Sequence, residues 1–170
     1  MKKHGVDIKV VSIWREIMIE FKHSINIKRP INEVFAFLSD FENIPKWNYY
    51  VLQARKISKG AVGVGTTYHQ MRKTDEQRFQ ITEFELNLKV AVKTLPESSL
   101  QFERRFTLQT EGGTTLIIDE WEELVTGKPA FIEKLAAGRV KSAVAENLGK
   151  LKELLETGSV ALQDGRHVRL

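Results

Sequence analysis

Arg29–Trp47, RPINEVFAFLSDFENIPKW, is the stretch that decides how this 170-residue chain folds. Pro30 fits the first turn of a helix, where its missing N–H costs no intrahelical bond. Glu33 lies where a carboxylate complements the positive end of the helix dipole. Val34, Phe35, Phe37 and Leu38 supply an apolar face, and Asp40 can cap a second, very short helix ended by Pro45. The stretch follows an alternating strand, and the last long segment of the chain is amphipathic. A strand, two short helices, a run of strands and a terminal helix together predict a curved sheet wrapped around a helix, an arrangement that leaves a cavity.

Upstream, Ile19, Phe21, His23, Ile25 and Ile27 alternate with Glu20, Lys22, Ser24, Asn26 and Lys28, the period-two pattern of a half-buried strand. Residues 1–18 read as an extension outside this frame. Ile8, Val11, Ile13, Trp14 and Ile17 are irregularly spaced, compatible with docking on the domain, with contacts in a homodimer or with loose order.

Downstream, six further strands are expected at Val51–Ser58, Thr66–Lys73, Gln77–Leu86, Lys89–Leu95, Leu100–Gln109 and Thr114–Leu124. The breaks between them carry turn chemistry, as at Thr74-Asp75, Asn87, Pro96–Ser99 and Gly112-Gly113. Short connections imply an antiparallel meander. Pro129 opens the final helix, which runs to about Glu156 before Gly158. Leu135, Val140, Val144, Leu148, Leu151 and Leu155 recur along it at three- and four-residue steps. A helix of that length needs a large apolar partner, and the concave sheet face is the one candidate of sufficient size. Residues 158–170 read as a polar, mobile tail, leaving 19–157 as the domain.

Composition narrows the class. Apolar residues make up 42% and charged residues 28%, ordinary for a globular domain of this length. No window approaches the roughly 18 apolar residues of a membrane span. Charges at Asp7, Lys9, Arg15 and Glu16 interrupt Val6–Met18 as a signal peptide, so a cytoplasmic address is the default. Without cysteine, disulfides and thiolate metal sites are excluded. The net charge of +4 comes from basic residues scattered among acids, a solvated surface rather than a nucleic-acid footprint.

With these elements in place, the chain resembles the SRPBCC superfamily, also called START-like or helix-grip, and within it the polyketide cyclase/dehydrase and lipid-transport branch. The resemblance rests on the I-x-R-P-x-x-x-V-F-x-F-L-x-D-F-x-N-x-P-x-W pattern from Ile27 to Trp47. It also rests on Gly60-x-x-Gly63-x-Gly65-Thr66, on Ile81-Thr82-Glu83-Phe84-Glu85, on Gly113-Thr114-Thr115 and on the long last helix. It covers about Glu20 to Leu155. It implies an α+β helix-grip fold, a seven-stranded antiparallel sheet gripping the C-terminal helix with two small helices closing one end. It further implies a hydrophobic ligand of the lipid, polyketide, aromatic or isoprenoid class, held for sequestration or transport. Some similar proteins are cyclases or dehydratases, and others act through protein contacts, so fold alone does not settle function.

Candidate site residues follow from alternation. The glycines at 60, 63 and 65 precede strand-forming residues and read as a tight strand connection, not a phosphate loop. His4, His23, His69 and His167 have no ligand spacing, so no metal site or cofactor is called. His23 stands on the apolar face of its strand as a hydrogen-bonded interior histidine. In the Leu100–Leu124 hairpin, a three-residue loop Glu111-Gly112-Gly113 sets Arg104 opposite Glu120, both beside the apolar side. A two-residue Gly-Gly loop instead sets Arg105 opposite Glu120, outside. The first register is preferred, and it leaves structural ion pair and ligand anchor both open for Arg104 and Glu120. Among Asp119, Glu120, Glu122 and Glu123, a solvated strand end is the main reading. The expected ligand contacts are Phe21, His23, Phe102 and Arg104, with Phe106, Glu120, Leu135 and, at the edge of the helix stripe, Arg139. No catalytic residue is assigned. A cyclase-like alternative uses His23 or Glu120 for proton transfer with Arg104 stabilising an enolate. A third reading, an interaction module, requires a filled pocket.

Overall fold

The computed structural model describes residues 17–125 and 130–170. The extension read at residues 1–18 lies outside the described residues except for Ile17 and Met18, which already belong to the first strand. Strands β1 (Ile17–Ile27), β2 (Val51–Lys56), β3 (Thr67–Arg72), β4 (Glu76–Glu85), β5 (Lys89–Thr94), β6 (Gln101–Glu111) and β7 (Thr114–Val125) form one antiparallel sheet. Its order is β1-β7-β6-β5-β4-β3-β2, so the meander is closed by β1 lying beside β7. Successive strands β1 and β2 therefore occupy opposite edges. Helix α1 (Ile31–Ser39) and a 3-10 helix (Phe41–Lys46) carry the chain from one edge to the other. As the sequence predicts, the Asp40 side chain accepts from the Glu42 N–H at 3.1 Å and caps the second of these helices.

The long helix α2 (Ala130–Thr157) packs across the concave face. Val144, Leu148, Leu151, Leu154 and Leu155 are buried against the sheet, the stripe expected of an amphipathic helix. Register shifts between Val51 and Gln53 and between Ile81 and Glu83 insert bulges into β2 and β4. Bulges bend and twist strands locally, which helps the sheet curl around a helix. Under the 3-10 helix, Phe41, Tyr68 and Phe79 pack as a cluster with ring centroids 5.4 Å apart.

The segment expected as a polar, mobile tail differs from that reading. Gly158, at φ +79°, ends α2, and strands β8 (Ser159–Ala161) and β9 (His167–Arg169) pair as a hairpin. Val160 and Leu162 are buried in the main core. Arg166 donates to the carbonyls of Tyr49 (2.9 Å), Pro45 (3.3 Å) and Val51 (3.3 Å). Asp164 pairs with Arg166 at 3.0 Å and with Lys73 at 2.9 Å. Two buried apolar side chains are too few to set up a period in the sequence, and Arg166 acquires its acceptors through folding.

Candidate functional site

A cavity of about 310 Å³ lies between the sheet and α2. Phe79, Val92, Phe102 and Trp121 line it from the sheet, and Val140, Ala143 and Val144 from the helix. Phe41, Ile44, Asn48, Tyr50 and Val51, on either side of Trp47, also line it.

The β6–β7 hairpin corrects the preferred register. Glu111 pairs with Thr114 across a two-residue loop, with Gly112 at φ +54° and Gly113 at φ +83°. Two consecutive left-handed residues make the turn whose twist matches the flanking strands, and a Gly-Gly pair adopts it without steric cost. Arg104 therefore faces Trp121, and Arg105 faces Glu120. Glu120 is not beside the cavity. It lies on the outer face, 3.0 Å from Lys22 and 3.7 Å from Arg105.

Arg104 is still inward, in phase with Phe102, Phe106 and Leu108, and its partner is Asp119. Nε donates to Oδ1 at 2.9 Å and Nη2 to Oδ2 at 2.7 Å, with the carboxylate fully buried. The guanidinium carbon lies 4.5 Å from the Phe106 ring centroid, 5.3 Å from that of Trp121 and 5.6 Å from that of Trp47. Trp121 is in turn stacked on Phe102 at 4.6 Å and on Phe21 at 6.1 Å. A planar cation, neutralised by one carboxylate and boxed by aromatic rings, thus forms part of the cavity wall. The solvated reading of the acidic run fails for Asp119 and also for Glu123, which is buried, lines the cavity and accepts from Trp121 Nε1 at 3.2 Å. Alternation along β7 puts Asp119 and Glu123 on one face, and that face lies inward.

Of the expected contacts, Phe102, Arg104 and Arg139 line the cavity. Phe21 and Phe106 stand behind it, against Trp121 and Arg104. His23 is directly opposite Asp119 in the register, and its Nε2 lies 3.1 Å from the Lys141 carbonyl. A carbonyl only accepts, so Nε2 carries the proton and ties β1 to α2 outside the cavity lining. Leu135 is 61% exposed, away from the cavity.

Gln70, Gln77 and Asn147 also line the cavity and are not among the contacts expected from the sequence. Gln70 Nε2 donates to Gln77 Oε1 at 2.7 Å, and Gln77 Nε2 donates to Asp75 Oδ2 at 2.9 Å. Burial pushes the Asp75 carboxyl up, but hydrogen bonds from Thr74, Ser99 and Gln77 and the charge of Arg72 outweigh it and hold the group below its ordinary value. Asn147 is 2% exposed, and its Oδ1 has no hydrogen-bond partner among the described residues. The legible signal was its phase, since Val140, Val144, Asn147, Leu148 and Leu151 share one face of the helix.

A sheet curled around a terminal helix over an internal cavity defines a helix-grip domain. The family described as polyketide cyclase/dehydrase and lipid transport matches residues 18–156, and the chain belongs to it. Among solved structures, a START superfamily protein from Mycobacterium smegmatis is similar at 15% identity with a TM-score of 0.66, over 80% of this chain and 98% of that one. A protein from Thermus thermophilus is similar at 17% identity and TM-score 0.65, over 79% and 94%. A third, from Deinococcus radiodurans, is similar at 12% identity and TM-score 0.58, over 82% and 98%. These likenesses carry the fold alone. No curated protein sequence matches the chain. No helix among the described residues is long and apolar enough to cross a membrane.

Proposed function

We propose that the protein binds one small, mainly apolar molecule between sheet and α2, for sequestration or transport. The observation that carries this reading is the cavity itself, about 310 Å³, with an aromatic and aliphatic wall and a few convergent polar groups. Its volume falls at the lower end of the ~300–1,000 Å³ typical of ligand pockets. That size suits two or three fused rings or a short isoprenoid rather than a two-chain lipid. A ligand burying ~200 Å² of apolar surface gains about 5 kcal/mol before the costs of association.

Arg104 is the orienting group. Two of its N–H donors are committed to Asp119, which also neutralises its charge. The remaining donors suit a carbonyl or hydroxyl oxygen of the ligand, with the ring system against Trp121 and Phe102. The open volume favours this reading over an interaction module with a filled core. The cyclase-like alternative loses its proposed proton-transfer groups, because His23 is engaged by the Lys141 carbonyl and Glu120 lies on the outer face.

The test is native mass spectrometry of gently purified protein followed by solvent extraction, with titration by anilinonaphthalene sulfonate, an anionic dye that reports apolar sites. A co-purifying apolar molecule at one per chain, or saturable dye binding lost in a Val144→Trp variant that fills the cavity, is the expected result. A protein that carries nothing and binds no dye saturably overturns the proposal.

A further inference from the structure

Gln70 and Asn147 face the same cavity from opposite layers, one on β3 and one on α2. The polarity of the Gln70 side chain follows from chemistry alone. A carboxylate accepts and cannot donate, so Gln77 must present Nε2 to Asp75 and Oε1 to its other neighbour. Gln70 must then present Nε2 to Gln77, which leaves its own Oε1 as the outer terminus of the relay. Among the described residues nothing donates to that oxygen. The Asp75 end is pinned further by Thr74 at 2.9 Å and Ser99 at 3.0 Å, so the relay does not invert without breaking several bonds. Gln70 is 5% and Gln77 1% exposed, which makes this a buried and directional polar chain.

Asn147 interrupts the apolar stripe of α2 with a carboxamide whose oxygen has no partner among the described residues. Leaving a buried polar atom unsatisfied costs free energy comparable to a lost hydrogen bond, and such groups are rare in native structures. Rotation about Cβ–Cγ exchanges its oxygen and nitrogen, so Asn147 supplies whichever hydrogen-bonding role a guest requires. Gln70 has no such freedom and asks for a donor.

We infer that Gln70 and Asn147 form a hydroxyl-recognition subsite, selecting an apolar ligand that carries a neutral alcohol or phenol group. The hydroxyl donates its one proton to Gln70 Oε1 and accepts from the Asn147 Nδ2–H. A carboxylate at the same place meets the Gln70 oxygen acceptor to acceptor and is disfavoured. This inference rests on the ligand-binding reading above and adds the identity of the polar group recognised.

The experiment measures displacement of anilinonaphthalene sulfonate by 2-naphthol, 2-naphthalenemethanol, 2-methylnaphthalene and 2-naphthoic acid. The expected result is that at least one of the hydroxyl compounds binds about 10-fold tighter than 2-methylnaphthalene, with the acid weakest. Asn147→Leu and Gln70→Met, on independent elements, are each expected to abolish that preference while 2-methylnaphthalene binding is kept. Equal affinity for hydroxyl and methyl compounds in the wild type, or a preference that survives both variants, overturns the subsite and leaves the ligand-binding reading standing. Failure of every compound and of the dye to bind removes that reading and the subsite together.

Discussion

Arg104 and Asp119 are joined by a two-point ion pair although they are not opposite each other in the sheet. Arg104 faces Trp121 and Asp119 faces Phe106, so the guanidinium crosses diagonally between neighbouring strands. The diagonal reach lays the planar group across the rings of Phe106 and Trp121 while the carboxylate is withdrawn from solvent altogether.

Removing one partner of this pair leaves a buried charge without compensation. Asp119→Ala is expected to lose about 3–5 kcal/mol of stability in urea unfolding. The double replacement Arg104→Met with Asp119→Leu should recover most of that loss, since hydrophobic residues of similar volume avoid the desolvation cost. A double variant as unstable as Asp119→Ala would show that the pair adds net stability to the fold.

Asn147 is retained at a cost to the empty protein. Asn147→Leu, with the same branching at Cγ and continuous with the α2 stripe, is expected to stabilise by about 1 kcal/mol, raising Tm by about 2–4 °C. Thermal melting without ligand checks this, and a lower Tm would show that the amide is satisfied within the fold.

Arg166 fastens the C-terminal hairpin to the loop that lines the cavity, through the carbonyls of Pro45, Tyr49 and Val51. Arg166→Ala is expected to cost about 1–3 kcal/mol. It should also accelerate amide exchange at residues 47–51 more than in the centre of the sheet, with several-fold weaker binding of the cavity dye. Exchange that rises uniformly over the chain would assign Arg166 to global stability alone.

Acid should weaken the same attachment. Hydrogen bonds from Arg166 and then Lys73 hold the Asp164 carboxyl well below the usual carboxylate range, and Asp75 is also held low. A carboxyl whose pKa is lowered by folding stabilises the native state above its unfolded value of about 3.9, and that contribution fades as pH falls toward the folded value. Urea midpoints should therefore drop as pH is lowered from about 5 to 3. Asp164→Asn should show a shallower drop, and an equal slope in variant and wild type would count against this role.

Element types and their order were legible because they depend on local periodicity. Alternation in Ile19–Ile27, the proline and capping chemistry of Arg29–Trp47, and the three- and four-residue steps of α2 each act within a few residues along the chain. The inward phase of Arg104 was readable for the same reason, and so were the glycine turns. Partnerships were not readable, because they join residues distant in sequence. One residue more or less in the Gly112-Gly113 turn decides whether Glu120 meets Arg104 or Arg105, and both turns suit the same letters. The curl of the sheet around α2 decides that Asp119 and Glu123 face the core, while their charges alone argued for solvent. Gln70, Gln77 and Asn147 look like ordinary polar residues until the sheet curls around the helix. Only that closure withdraws water from them, and withdrawal of water is what makes an unpaired amide matter.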